Sequence, residues 1–236
     1  MLNEKFFRIL FFVVIVTLGV YYFYPTELNE IQRAAYLKSY GVTLGLTLGG
    51  ICIGIALGFL LAFLKFLNIK ILSFIIDEYI DILRGTPIIL QLLIFSVVIF
   101  ATWSDNFYVA VIALGLNSSA YVAEIVRSGI NSVDKGQMEA ARAMGLSYSA
   151  SMREIIFPQA IKNILPALGN EFISLFKETS VVGYISVMDI TFQSKSFQAI
   201  LYNPKPVIFA GVVYYISVKI LSFLTKTLEK RLNRHD

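Results

Sequence analysis

Long apolar stretches separated by short polar segments run the length of the chain. A helix that spans a membrane needs about 20 mainly apolar residues. The stretches that reach or approach this length are 6–24, 39–64, 87–103, 107–127, 158–176 and 206–228. The pattern predicts an all-α protein, a polytopic transmembrane helical bundle with about six spans.

Two regions of this pattern contain polar residues that a lipid-facing helix would avoid. The segment 68–86 mixes charged and apolar residues, which indicates an elbow at the membrane surface leading into the third span. The fifth stretch contains Asn170 and Glu171. Because a carboxylate is costly to expose to lipid, we expect this helix to face protein or water.

The first stretch has to be distinguished from a secretory signal peptide. Lys5 and Arg8 give it a basic start, but its apolar part is long and no small-residue cleavage site follows. It continues instead into the aromatic segment 21–25, which is typical of a belt at the membrane interface. We therefore expect residues 1–38 to form a retained transmembrane helix and an extracytoplasmic loop.

The composition supports a membrane location, and the charges predict the orientation. Hydrophobic residues make up 57% of the chain and charged residues 15%, against about 25% charged in soluble domains. With the N-terminus in the cytoplasm, fourteen Lys and Arg fall inside, five outside and one within a span. Cytoplasmic loops favour cations, so both termini are expected in the cytoplasm. The net charge of +4 then needs no nucleic acid partner.

Several kinds of chemistry lack the residues that they need. Cys52 and His235 are the only cysteine and histidine, which leaves no disulfide, no metal cluster and no His-based nucleophile pair. The chain also contains no phosphate-binding loop of the G-x-x-x-x-G-K-[ST] type. We expect no metal and no cofactor in this chain, and the pattern argues against a membrane-embedded enzyme.

The second span contains two series of glycines with four-residue spacing. Small residues one helical turn apart let two helix backbones approach closely. This contact could lie within the chain or between two subunits, and the spacing alone fits both. The glycines are Gly41, Gly45 and Gly49 in one series and Gly50, Gly54 and Gly58 in the other.

The polar segment 131–158 falls on the cytoplasmic side of this topology. Asp134 followed by Gln137 resembles a capping box that starts a helix near residue 135. Gly145 suits the position just after a helix, and Ser147 can cap the next one. We expect two short helices with a sharp bend, of a shape that fits a groove on a partner.

The same segment resembles the EAA motif, which marks the permease subunits of ABC importers. The usual motif ends in Leu-Pro, whereas this chain has Phe157-Pro158, which keeps an apolar side chain before the proline. The residues that carry the resemblance are Glu139-Ala140-Ala141, Gly145 and Ile155-x-Phe157-Pro158.

Further stretches are similar to the polar amino-acid branch of these permeases, and the likeness covers about 39–229. It implies a permease transmembrane domain over 39–229 with coupling helices at 131–158 and a cytoplasmic tail at 230–236. The stretches are Arg84-Gly85-Thr86-Pro87 with Gln91, residues 117–127 and residues 175–180.

The resemblance implies a type I ABC importer permease fold in a bacterial inner membrane, and a set of partners. These are a separate ABC ATPase subunit that hydrolyses ATP, a second permease subunit in a homo- or heterodimer, and an extracytoplasmic amino-acid-binding protein. Membrane lipid surrounds the chain. The residues implied in coupling to the ATPase are Glu139, Ala140, Ala141, Gly145 and Pro158. Arg142 and Arg153 fit either ATPase contact or the positive-inside bias.

Polar residues within the spans supply candidates for the substrate path, because such residues usually face the bundle interior or a cavity. Glu171 has no cation three or four residues away that could pair with it. The candidates for this path are Gln91, Asn170, Glu171 and Glu178.

Other polar residues are given structural roles. Thr86 is expected to cap the third span with Pro87 in its first turn, and Glu124 is expected to pair with Arg127 one turn later. The residues in this structural set are Arg84, Gly85, Thr86, Pro87, Glu124 and Arg127.

A different class of protein, a secondary amino-acid transporter that works without an ATPase, is the alternative. Such transporters often contain inverted repeats, and none is visible here. Whether 181–200 forms a half-helix is left open by the pattern.

Overall fold

The computed structural model describes residues 2–232, except for the side chains of residues 2–5 and 8. The last residues of the expected tail, 233–236, lie outside this part of the chain. The described part is helical, and we number its α-helices in chain order. They are α1 Leu2–Phe23, α2 Glu30–Lys65, α3 Lys70–Gly85, α4 Ile88–Ile94, α5 Asn106–Asn131, α6 Lys135–Ala143, α7 Tyr148–Ser151, α8 Phe157–Glu178, α9 Ile190–Leu201 and α10 Lys205–Leu232.

Three helices, α2, α5 and α10, are long and apolar enough to cross a membrane. The expected elbow is present, because α3 and the helix Ile88–Ile99 form a broken span with a bend of 107°. The third span therefore ends earlier than the expected 87–103. The apolar part of α1, Ile9–Phe23, is shorter than a full span. α8 is long enough but is not among the helices that are apolar enough to span a membrane. The all-α membrane fold is confirmed, whereas spanning by α1 and α8 stays a prediction.

The second span begins at Glu30 rather than at residue 39. Asn29 caps this helix: its side chain accepts from the backbone N–H of Gln32 at 2.9 Å, and the Gln32 side chain accepts from the Asn29 N–H at 3.0 Å. Such a reciprocal cap satisfies two donors that a helix start leaves unpaired. It extends α2 through a polar turn, so the connection between α1 and α2 is shorter than expected.

The glycines of α2, apart from Gly41, pack against α5 of the same chain. A Cβ atom built on Gly54 would lie 2.8 Å from the Ser118 Cβ, and one on Gly58 would lie 2.6 Å from the Val122 Cβ. Gly50, one turn earlier in the same series, would meet the Leu114 Cβ of α5 at 3.3 Å and the Leu175 side chain of α8 at 3.1 Å. Of the two possible uses of these glycines, packing within the chain is the one that the structure contains. The backbones approach closely because no side chain stands between them.

α5 lies at the centre of the bundle. Its buried residues pack against α2 on one side, against α8 on another and against α3 and α4 on a third. The largest buried cluster joins α2, α4, α5, α8 and the 3₁₀ turn Thr179–Ile185 through Leu46, Leu92, Leu114, Leu175 and Val182. This arrangement places the polar residues in the middle of α5 inside the bundle.

The region 181–200 contains a 3₁₀ turn followed by a separate short helix, α9. Asp189 starts α9 by accepting from the backbone N–H groups of Thr191 at 3.0 Å and Phe192 at 2.9 Å. The Ser194 hydroxyl on α9 donates to the Tyr36 hydroxyl on α2 at 2.9 Å. A half-helix is thus present, and its polar contacts hold it against α2.

We expect Gly58→Ala to destabilise the fold and Gly41→Ala not to. The added methyl group at Gly58 meets the Val122 side chain and, at 2.9 Å, the Ser119 carbonyl oxygen, and overpacking of this kind costs about 1–3 kcal/mol. Gly41 has no atom within 4 Å of the same position. Thermal unfolding of the purified protein in detergent measures both, and equal midpoints for the two variants would contradict the packing described.

Candidate functional site

Two carboxylates on α8 meet two polar side chains in the middle of α5. The Ser118 hydroxyl donates to Glu171 Oε1 at 2.7 Å, and the Asn117 side-chain nitrogen lies 3.4 Å from Glu178 Oε2. Glu171 is 9% exposed. The hydrogen bonds offset part of the cost of placing carboxylates inside a bundle. The structure thus brings together two of the predicted path residues, Glu171 and Glu178.

Gln91 joins this cluster from the bend between α3 and α4. Its side-chain nitrogen donates to the Leu83 carbonyl oxygen at 2.7 Å and to the Thr86 hydroxyl at 2.9 Å, and it lies 3.3 Å from Asn117 Oδ1. The Gln91 Oε1 atom is buried and has no hydrogen-bond partner within the described part of the chain. Buried acceptors are nearly always paired, so this oxygen is an exception within the bundle.

Thr86 does not cap the third span, which corrects the sequence-based expectation. Its hydroxyl donates backward to the Ile82 carbonyl oxygen at 2.8 Å, and Pro87 occupies the position before α4. The residue before a proline is held in an extended conformation, and Thr86 has φ −113° and ψ 140°. This constraint ends α3 at Gly85 and produces the bend.

Asn170 lies apart from the cluster. Its side chain is exposed and forms no hydrogen bond to any residue in 2–232. Ser118, which the sequence reasoning did not select as a path residue, is the direct partner of Glu171. The signal that could have identified it is the polar run 117–119 in the middle of an otherwise apolar span.

A second group of charges lies further along α5. Glu124 accepts from two nitrogens of Arg127, both at 2.8 Å, and the predicted pairing is present. Arg84, at the end of α3, lies 3.4 Å from the same carboxylate and 5.4 Å from the centre of the Tyr121 ring. Glu124 therefore ties the elbow to α5, a link that local spacing could not predict.

A cavity of about 370 Å³ adjoins this group. It opens between α5 and α8, and its charged lining residues are Arg84 and Glu124. The other polar residues that line it are Ser128, Ser132 and Asn163. In the described part of the chain, no cluster of His, Cys, Asp and Glu could hold a metal ion.

The expected helix pair of 131–158 starts where the sequence predicts. Asp134 caps α6, but its carboxylate accepts from the Gly136 N–H at 2.7 Å rather than from Gln137. The Gln137 side chain instead accepts from Gln159 of α8 at 3.4 Å. The predicted start of the helix is right and the predicted reciprocal cap is wrong, because α8 supplies a competing partner.

A tight turn ends α6 at Gly145, which has φ +87°. The Leu146 N–H donates to the Ala141 carbonyl at 3.2 Å and the Gly145 N–H to the Arg142 carbonyl at 3.1 Å, which is the Schellman pattern. The Arg142 side chain donates to the Leu146 carbonyl at 2.6 Å. Arg142 thus stabilises the turn from within the chain.

The sequence suggested that the second short helix is a separate element, but in the structure it is continuous with α8. Ser147 caps α7 by accepting from the Ala150 N–H at 3.2 Å. A π-helical turn, Met152–Ile156, then joins α7 directly to α8. The bend at Gly145 is therefore attached to one end of α8, the helix that contains Glu171 and Glu178.

The residues implied in ATPase coupling differ in their exposure. Glu139, Ala140, Gly145 and Pro158 are exposed, whereas Ala141 is buried at 1%. Ala141 is thus a packing residue within the segment. Two apolar side chains beside the turn, Met144 at 81% and Tyr148 at 58%, are more open to a partner.

These features define a helical membrane protein with a polar centre and an exposed helical turn outside its long spans. Residues 54–234 match the family of binding-protein-dependent transport system inner membrane components. The chain belongs to this family and is a permease component of an ABC importer.

Relatives and solved structures agree with this assignment. The arginine transport system permease protein ArtQ of Bacillus subtilis is 45% identical over 69% of this chain and 76% of its own. A putative glutamine transport system permease protein, GlnP, of Rickettsia bellii is 41% identical over 69% and 77%. The crystal structure of an amino acid ABC transporter with histidines matches with a TM-score of 0.80 and 40% identity over 84% and 94%.

The fold is also that of a more distant protein. An inward-facing structure of the MetNI methionine ABC transporter matches with a TM-score of 0.74 and 20% identity over 87% of this chain and 100% of that one. The expected type I importer permease fold is confirmed.

We expect Glu124→Ala to destabilise the protein, because it removes the carboxylate shared by Arg84 and Arg127. Hydrogen bonds to charged groups contribute about 1.5–3 kcal/mol. The control is Glu154→Ala, which breaks an exposed pair with Arg153 at 3.5 Å, and such pairs contribute about 0–1 kcal/mol. Thermal unfolding in detergent compares them; an equal shift for both variants would show that Glu124 does not hold the elbow.

Proposed function

We propose that this chain is the permease subunit of an ATP-driven importer for polar amino acids, and that it forms the translocation path. The observation that carries the proposal is the polar cluster of Gln91, Asn117, Ser118, Glu171 and Glu178 inside an apolar bundle. Polar groups at this depth are costly and mark substrate pathways. Relatives with arginine and glutamine transport in their names support an amino acid as cargo.

The cargo's ammonium group is the chemical match for this cluster. Glu171 and Glu178 have no Lys or Arg within ion-pair distance in the described part of the chain, and the Gln91 Oε1 atom lacks a donor. A substrate ammonium, or a cationic side chain, would supply positive charge and hydrogen-bond donors together. Asn170, which is exposed and apart from the cluster, is placed at the edge of the path in this proposal.

The turn around Gly145 is the proposed contact with a separate ABC ATPase subunit, which would hydrolyse the ATP. Met144 and Tyr148 flank this turn in the chain and are exposed, and large apolar and aromatic side chains are the usual anchors of an interface. Glu139 and Ala140 lie on the exposed face of α6. Because α7 continues into α8, a force on the turn would act directly on the helix that holds Glu171.

The proposed orientation puts both termini and the turn in the cytoplasm of a bacterial cell, with the chain in the inner membrane. The excess of cations on that side supports it. The loops at the other side would receive an extracytoplasmic amino-acid-binding protein. A second permease subunit, identical or homologous, completes the path. The chain itself is proposed to need no cofactor and to bind no nucleic acid.

A secondary transporter that works without an ATPase is disfavoured. The matched family consists of components of binding-protein-dependent systems, and the solved relatives are ABC transporters.

We expect Gly145→Ala to uncouple ATP hydrolysis from substrate. A Cβ at φ +87° costs roughly 1–2 kcal/mol in the left-handed region, which deforms the turn and lowers coupling by about tenfold. Ser149→Ala, an exposed change in the same segment, is the control. ATP hydrolysis by the reconstituted complex, with and without loaded binding protein, measures the effect. Full substrate stimulation in Gly145→Ala would argue against docking through this turn.

We expect Glu171→Gln to impair transport without unfolding the protein. The amide oxygen can still accept from Ser118, so the hydrogen bond survives and the charge is lost. Losing a charge-assisted contact to substrate of about 1.5–3 kcal/mol lowers uptake by at least about tenfold. Glu30→Gln, an exposed carboxylate at the start of α2, is the control. If Glu171→Gln proteoliposomes took up substrate at the wild-type rate, Glu171 would not contact the cargo.

A further inference from the structure

An apolar cleft lies between α2 and α10, close to the end of α1. Its volume is about 540 Å³. Leu28 and Tyr36 form buried walls, whereas Leu37 and Ile220 are exposed at 74% and 55% and leave the cleft open to the side of the bundle. In a membrane, lipid can reach the cleft from that side. The cleft lies away from the polar cluster and from the turn at Gly145.

The length of the cleft matches one leaflet of a bilayer. Its lining on α10 runs from Phe209 to Ile220, which corresponds to about 16 Å along a helix axis. The hydrocarbon core of a bilayer is about 30 Å thick. Tyr24 and Pro25, just after α1, line the cleft together with Arg33, which bonds to the carbonyl of the following residue, Thr26. This end therefore falls at the membrane interface and the other near the bilayer centre.

Arg33 supplies a positive charge at the interfacial end. Its side chain is exposed and makes one hydrogen bond, from Nη2 to the Thr26 carbonyl oxygen at 3.4 Å. No carboxylate lies within ion-pair distance of it in residues 2–232. Lys205, at the same end of the molecule, is by contrast paired with Glu27 at 3.5 Å. The remaining guanidinium donors of Arg33 are thus open to an anion, and the planar group suits phosphate.

We propose that an anionic phospholipid occupies this cleft, with its headgroup phosphate on Arg33 and one acyl chain against α2 and α10. A cation at the mouth of an apolar pocket between helices is the arrangement that recognises such lipids. The leaflet is the one in which α1 ends, which is the extracytoplasmic leaflet in the proposed orientation. Only this leaflet assignment rests on the proposed function.

The chemistry of the cleft lining suits an acyl chain, because most of its side chains are aliphatic or aromatic. Among the polar groups of the walls, the Tyr40 and Ser217 hydroxyls bond to each other at 2.8 Å and so require no further polar partner.

The lipid would connect α1 to the rest of the bundle. α1 packs on α10 through Phe12 against Tyr215 and through Tyr24 against Phe209, with ring centres 5.7 and 5.4 Å apart. A headgroup on Arg33 of α2 and a chain along α10 fill the space beside this contact. The bound lipid is thus expected to stabilise the packing of α1.

Native mass spectrometry of the detergent-purified importer tests the proposal, using phosphatidylglycerol and phosphatidylcholine as probes. The variants are Arg33→Gln, which removes the charge, and Ile216→Trp, which fills the cleft. Lys38→Gln removes an exposed cation of the same helix that does not line the cleft, and Ile208→Trp adds a ring on α10 outside it.

The wild-type chain is expected to retain phosphatidylglycerol more strongly than phosphatidylcholine. Arg33→Gln lowers the affinity for phosphatidylglycerol by roughly tenfold. It lowers the affinity for phosphatidylcholine less, because the quaternary ammonium of that headgroup already offsets the phosphate charge. Ile216→Trp lowers the affinity for both lipids. The two control variants bind as the wild type does. Equal binding of the two lipids, or equal losses in Arg33→Gln and Lys38→Gln, would overturn the proposal. Because lipid binding needs no ATP, these outcomes are independent of any failure in transport.

Discussion

Gly50, Gly54 and Gly58 let the backbone of α2 approach α5 closely, and at Gly54 and Gly58 one added methyl group would overlap a neighbouring side chain. Lipid offers no hydrophobic driving force between helices, so close packing of this kind has to hold the bundle together. α5 in turn packs against α3, α4 and α8. The position of every polar residue in the centre therefore depends on this contact between α2 and α5.

The same contact explains why carboxylates can be held within the bundle. Ser118 lies against Gly54 on one side and donates to Glu171 on the other. Asn117 links Glu178 to Gln91 and so to the bend between α3 and α4. A polar group in a membrane protein is tolerated where protein or a cavity surrounds it. The glycine packing between α2 and α5 thus fixes the positions of the α5 residues that belong to the polar cluster.

The sequence predicts most of the helices but fewer of the contacts between them. The lengths of the apolar stretches predict the bounds of α5, α8 and α10 to within a few residues. They miss the start of α2, because the cap at Asn29 extends this helix into polar residues. The Glu124–Arg127 pair follows from spacing on one helix, but Arg84 reaches Glu124 from another. Pairing across helices depends on tertiary geometry, and so does the link between Ser118 and Glu171.

Uptake of a labelled basic or amide amino acid into proteoliposomes tests the central account most directly. The vesicles contain this permease with its binding protein, and the ATPase subunit and ATP are added or omitted. The account predicts accumulation against a gradient only when both ATPase and ATP are present. Accumulation without the ATPase would contradict it and would favour a secondary transporter.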